Sequence, residues 1–299
     1  MSALLFPGQG SQVPGMGRDF YEACPAARRV MDMTADIYDI TFLFALFEGP
    51  EELLRDTCMA QPALVAVGAA IAAHLQSKGF RPTACAGHSI GEISALVAAG
   101  ALTIENALIL TQHRARLMAG ASGGTMAAVL GLAPEAIAEA MPAGVEIANF
   151  NGPQQTIISG THEGIAAAQK SLKKAGAKRV MPLNVSGPFH SSLMRSAAEQ
   201  FGEIVAEAPI SKPKTRFISS VSGQEESDPD RIKELLARQI DSPVQWTKVM
   251  QTLGPVPALE AGPGNVLAGL AKRMDGAPIV SPAGTLEHAR AALSREKSA

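Results

Sequence analysis

The chain has 299 residues, of which 46% are hydrophobic and 18% charged; it can bury a substantial core and is too apolar to be disordered. A formal charge of -2 and an aromatic content of 4% leave neither a basic field nor stacking platforms for nucleic acid, so no nucleic-acid partner is expected. Cys24, Cys58 and Cys85 are odd in number and widely spaced, which excludes a zinc pattern or disulfide framework and suits a reducing compartment.

Residues 1–7 have no basic stretch and too short an apolar run for a signal peptide, so a cytoplasmic location is expected. Residues 3–6 read as a short buried strand. It runs into Pro7-Gly8-Gln9-Gly10-Ser11-Gln12, a loop whose glycines permit close backbone approach to a ligand or a neighbouring segment. Helical patterns continue to Lys78, with Gly79 as C-cap. The most apolar of them, residues 63–75, is Ala-rich and too short to span a bilayer, so no membrane partner is expected.

Residues 83–86 form another short apolar run, followed by Gly87-His88-Ser89-Ile90-Gly91 and the helix-forming residues 92–99. Strand, tight turn through a serine, then helix is a nucleophile elbow. Glycines on both sides leave room for the hydroxyl, and the helix N-terminus supplies partial positive charge near a developing oxyanion. A second helix is predicted over residues 104–118, and residues 120–124 (Gly-Ala-Ser-Gly-Gly) break the pattern.

Beyond that break the order changes. Strand 125–132, helix 134–141, strands 145–149 and 155–159, helix 163–175 and strand 177–185 follow the β-α-β-β-α-β order of a ferredoxin-like split unit. The expected organisation is a small subdomain, residues 124–188, inserted in a larger one made of residues 1–123 and 189–299. Helices return after Ser191, with strands near residues 216–221 and 256–260, the latter ahead of the turn Gly262-Pro263-Gly264.

A serine hydroxyl needs a base. His74, His113, His162 and His288 fall in helical or surface contexts, and His88 lies inside the elbow with its side chain directed away from that of Ser89. His190 follows the turn Ser186-Gly187-Pro188-Phe189 where the chain leaves the insert, and is the expected base. No acidic residue presents itself as its orienter; a backbone carbonyl is the alternative, and the third member stays unassigned. The N–H of Ile90, next after the nucleophile, is the usual first oxyanion donor, and the Gly8-Gln9-Gly10 loop either supplies the second or is an ordinary strand-end turn. Arg114 has two readings as well: a snorkelling surface residue, or a buried fork for a substrate carboxylate. Gln61 and Gln245, each near a proline, carry little weight singly.

Together, Leu5-Phe6-Pro7-Gly8-Gln9-Gly10-Ser11-Gln12, Gln61-Pro62-Ala63-Leu64, Gly87-His88-Ser89-Ile90-Gly91-Glu92, Arg114, Gly187-Pro188-Phe189-His190-Ser191, Pro243-Val244-Gln245-Trp246 and Glu260-x-Gly262-Pro263-Gly264 occur in the order seen in malonyl-CoA:acyl carrier protein transacylases. The resemblance runs from Leu5 to about Arg273. It implies an α/β fold, with an α/β-hydrolase-like core that carries the elbow and an inserted ferredoxin-like subdomain. It also implies transfer of a malonyl group from malonyl-CoA to acyl carrier protein, in fatty-acid or polyketide synthesis, by a ping-pong route through a malonyl-serine ester.

Carried over by motif, Ser89 matches the nucleophile, His190 the base, and Gln9 and Ile90 the oxyanion donors. Gln245 matches a residue whose main-chain carbonyl orients the histidine. Arg114 matches the partner of the malonyl carboxylate, Phe189 crowds out an α-methyl branch, and Gln61 and His88 join them on the substrate side. No cofactor or metal is implied, coenzyme A being part of the substrate, and a monomer is expected. The rival readings are an acyl-thioester serine hydrolase, a malonate decarboxylase transacylase subunit and a non-catalytic carrier-binding subunit. Two basic groups, Lys173, Lys174, Lys178 and Arg179, and Lys212, Lys214 and Arg216, read either as solvated faces or as a contact for the acidic carrier.

Overall fold

Short apolar runs without alternation suit strands covered on both faces, and the runs at residues 3–6 and 84–87 lie side by side in a parallel sheet. The computed structural model describes residues 2–39 and 41–298. In chain order its strands are β1 (Ala3–Phe6), β2 (Ala84–Gly87), β3 (Gly124–Leu130), β4 (Val145–Gly152), β5 (Gln155–Thr161), β6 (Arg179–Pro182), β7 (Arg216–Ile218), β8 (Glu225–Glu226), β9 (Pro257–Glu260) and β10 (Ile279–Pro282). They make a six-stranded sheet ordered β10-β9-β1-β2-β7-β8 and a four-stranded sheet ordered β4-β5-β3-β6. All pairs of the first are parallel except β7 with β8.

The second sheet is antiparallel, and its order is that of a ferredoxin-like unit, with the first strand between the third and the fourth. Its two helices, Pro134–Ala140 and His162–Lys174, close a small core of Ala127, Val129, Ile137, Ile158, Ile165 and Leu172. The predicted α/β class and the split unit are both present. β8 and β10 escaped the sequence reading because two- and four-residue edge strands leave no period to detect. β6 is four residues long rather than nine; beyond Pro182 the chain turns toward the cleft, and Leu183, Asn184 and Val185 line it.

The core helix is longer than expected. It spans Thr57–Ser77, 21 residues, and Pro62, just ahead of the apolar run 63–75, is accommodated inside it. With a mean hydropathy of 1.6 it is long and apolar enough to cross a bilayer, yet 83% of its apolar window is buried within the protein. Its apolar surface faces the helix Pro25–Tyr38, the elbow helix Gly91–Ala98 and the helix Ile104–Ala119.

Candidate active site

The elbow forms because β1, β2 and the helix Gly91–Ala98 come closer than any side chain would allow. A Cβ on Gly91 would lie 2.3 Å from the Phe6 carbonyl oxygen, and one on Gly87 would lie 2.0 Å from the Gly91 carbonyl carbon. The turn is held by His88 N–H on Phe6 O (2.9 Å) and Gly91 N–H on His88 O (3.0 Å). Ser89 is forced to φ 50°, in the left-handed region. His190, held by its N–H on Ile240 O (2.9 Å), has φ 59°. Such strain at non-glycine residues costs about 1–3 kcal/mol each and gathers where geometry matters more than stability.

The two strained residues meet. Ser89 Oγ lies 2.8 Å from His190 Nε2, and both side chains are buried. His190 Nδ1 faces two carbonyls, Gln239 O at 2.9 Å and Ser242 O at 3.1 Å. Carbonyls only accept, so Nδ1 carries the proton, Nε2 is bare, and the Ser89 hydroxyl donates to it. This corrects the expectation for Gln245. Its carbonyl accepts Val249 N–H (3.0 Å) in the first turn of the helix Trp246–Leu253, and its N–H donates to Ser220 O (2.7 Å), so it does not reach the imidazole. The turn that follows the helix Pro229–Arg238 supplies the orienting carbonyls instead.

Arg114 is 1% exposed, so it is not a snorkelling surface residue. Its Nη2 donates to Ser89 Oγ (3.1 Å), its Nη1 to Gln61 Oε1 (2.7 Å) and its Nε to Gln239 Oε1 (3.1 Å). Gln61, also fully buried, is held the right way round by its Nε2 on Met118 Sδ (3.3 Å). Beneath these groups Glu92 accepts from the Gln239 amide and the Ser220 hydroxyl. Gln239, Ser242 and the task of Glu92 were not read from the sequence. A carboxylate opening an otherwise apolar helix was the one available signal, in Glu92-Ile93-Ser94-Ala95-Leu96.

The remaining candidates surround a cleft of about 410 Å³ lined by Gly8, Gln9, His88, Ser89, Phe189 and His190 among others. Gln9 donates through Nε2 to Thr57 Oγ1 (3.2 Å), and Ser11 Oγ pins the loop by donating to Gly8 O (2.8 Å). Among the described residues, neither the Gln9 nor the Ile90 N–H has a hydrogen-bond partner in the protein. Phe189 is buried in the cleft wall. His88 lines the cleft, with Nε2 2.8 Å from Asn151 Oδ1 and its ring edge-on to Trp246. Of the cysteines, Cys24 and Cys85 are buried and Cys58 is exposed. Among the described residues no group of three or more His, Cys, Asp or Glu could hold a metal ion.

Electrostatics follow from burial. The His190 pKa is drawn down to about 3, first by burial and then by the Arg114 charge, against the two carbonyls; the ring is a neutral base. Burial brings Arg114 down to about 9, offset by Glu92, so the guanidinium stays charged at neutral pH. Burial raises the Glu92 carboxyl, while hydrogen bonds from Ser220, Ser219 and Gln239 oppose it. The assembly therefore holds a hydroxyl bonded to a neutral base, two free backbone donors and a cation in one buried site. That is the equipment for acyl transfer of a negatively charged acyl group.

The family described as "Acyl transferase domain" matches residues 3–268. The chain is 41% identical to the malonyl CoA-acyl carrier protein transacylase of Bacillus subtilis, over 91% of this chain and 90% of that one. It is similar to the crystal structure of an acyl-carrier-protein-S-malonyltransferase from Bartonella henselae, with a TM-score of 0.93, 37% identity and 99% of each chain covered. A third likeness is to a malonyl-transacylase in complex with its type II polyketide-synthase acyl-carrier protein: TM-score 0.91, 35% identity, 98% of this chain and 99% of that one.

Proposed function

We propose that this chain, which belongs to the acyl transferase family and within it to the malonyl-CoA:acyl carrier protein transacylases, carries malonyl from coenzyme A to a carrier-protein thiol through an ester on Ser89. The single observation that carries the site assignment is the buried Arg114, which donates to the same oxygen that His190 activates. In the first half-reaction the Ser89 proton passes to His190 Nε2 as Oγ attacks the thioester carbonyl. The oxyanion is received by the N–H groups of Ile90 and Gln9, and coenzyme A leaves as a thiol, taking the proton from His190. In the second half the phosphopantetheine thiol gives its proton to His190 and attacks the ester, and Ser89 recovers its own proton. Arg114 donates three of its five N–H groups to the protein, which leaves two for the malonyl carboxylate. Gln61 holds the fork, Phe189 limits room at the α-carbon, and His88 buttresses the wall through Asn151.

In this reading residues 124–188 form the small subdomain on a large one of 1–123 and 189–299, and the enzyme is a cytoplasmic monomer without a resident cofactor. Of the two basic groups, the carrier contact is assigned to the one at Lys178 and Arg179. Arg179 opens β6 and lies across Leu130 from Gln155, a residue of the cleft wall. Arg216 opens β7, at the end of the parallel sheet remote from Ser89, and is paired with Glu225. Reversing both charges at Lys178 and Arg179 should raise the KM for carrier protein and leave acylation by malonyl-CoA unchanged.

The deciding experiment is intact-mass analysis after incubation with malonyl-CoA. Wild type should gain one malonyl group and lose it on addition of carrier protein, and Ser89→Ala should gain none. Release of free malonate at the transfer rate without a thiol acceptor would favour the hydrolase instead.

A further inference from the structure

Among the described residues Glu92 is the one buried carboxylate that shares a hydrogen-bond partner with Arg114, and the proposed mechanism gives it no step. It is 1% exposed in the first turn of the elbow helix, three residues after Ser89. One of its oxygens, Oε2, accepts from both the Gln239 side-chain amide and the Ser220 hydroxyl, and these donors favour its charged form against burial. A hydrogen bond to a charged acceptor is roughly twice as strong as one to a neutral acceptor.

The consequence is directional. Because Glu92 takes the NH2 of Gln239, that amide must turn its oxygen toward Arg114, where it accepts Nε–H at 3.1 Å. The main-chain carbonyl of the same Gln239 holds His190 Nδ1 at 2.9 Å. One residue thus ties the fork to the base, and Glu92 clamps it from below. We propose that Glu92 is a positioning residue for acyl selection, acting through the Gln239 amide to aim the Arg114 guanidinium at the acyl carboxylate. The inference rests on the malonyl-transfer reading above.

Glu92→Gln keeps the shape but turns the oxygen shared by the Gln239 amide and the Ser220 hydroxyl from a carboxylate acceptor into a weaker, neutral one. The hold on the Gln239 NH2 is loosened, and the oxygen aimed at Arg114 is lost for part of the molecules. The measurement is the rate of Ser89 acylation by malonyl-CoA and by acetyl-CoA, followed by quenched intact mass, with unfolding midpoints recorded beside it. The malonyl-to-acetyl ratio of kcat/KM should fall by about tenfold, chiefly through the KM for malonyl-CoA. Gln239→Leu, which retains the main-chain carbonyl, should show the same fall, and the double variant should show no further one, since both changes break a single bridge.

A ratio held at the wild-type value in Glu92→Gln, or losses that multiply in the double variant, would overturn the inference. A lowered midpoint with both thioesters slowed alike would do the same, by marking a merely structural role. Should Glu92→Gln fail to fold, Gln239→Leu decides alone by the same ratio. Failure of wild-type Ser89 to take up malonyl at all would strike the underlying reading rather than the role of Glu92.

Discussion

Removing the His190 imidazole should flatten the acid limb of the stability profile. Its pKa is about 3 in the folded protein, because the ring is buried beside the Arg114 cation, and returns to about 6.5 in the unfolded chain. Between those values the unfolded chain binds a proton that the native protein does not. Stability therefore rises with pH across this window and is lost as pH falls from about 6.5 toward about 3. Each pH unit inside the window is worth ~1.4 kcal/mol, so acidification from pH ~6.5 to pH ~5 removes ~2 kcal/mol through this one group.

The comparison is wild type against His190→Gln, by urea unfolding at several pH values between about 5 and 7. The difference in stability between the two should change by ~2 kcal/mol over that range. His88 and His74, also shifted down by burial, are present in both proteins and cancel in the difference. Parallel pH profiles for the two proteins would refute the claim that His190 is held neutral by its surroundings. The same neutrality means that acylation of Ser89 should not slow through protonation of the base between pH ~7 and pH ~5.

Arg114→Ala should cost malonyl transfer on the order of a few kcal/mol more than acetyl transfer, because in the proposed mechanism only the charged acyl group uses the fork; equal losses in acylation assays would remove it from substrate selection. Gly91→Ala places a Cβ 2.3 Å from the Phe6 carbonyl oxygen and should destabilise by about 3 kcal/mol or more, a urea midpoint near wild type being the contrary result. Glu260→Gln should cost about 1.5–3 kcal/mol, since its two carboxylate oxygens accept Leu267 N–H and Ala268 N–H at 2.9 Å each and an amide keeps only one acceptor. Those bonds anchor the helix Val266–Ala271 on the cleft wall, so the KM for malonyl-CoA should rise with the loss of stability.

Local chemistry was legible in the chain itself. The elbow could be read because strain at Ser89 and the close approach of β1, β2 and the following helix demand glycine at 87 and 91, and such demands are met within five consecutive residues. The split unit could be read because its periods change from helix to strand in an order that few architectures share. His190 stood out through the turn that carries it.

Only the folded chain decided what surrounds these residues. Whether Arg114 faced water or the nucleophile turned on Gln61 and Gln239, which lie 53 and 125 positions away. The carbonyls that orient His190 come from Gln239 and Ser242 rather than Gln245, and a carbonyl is common to every residue, so no side chain announces it. Glu92 and Gln239 meet across 147 positions. A single chain records the conformational demands of neighbours along its length; which buried polar groups satisfy one another is set by the packing that brings distant segments together, because only there is water removed and each donor obliged to find its acceptor.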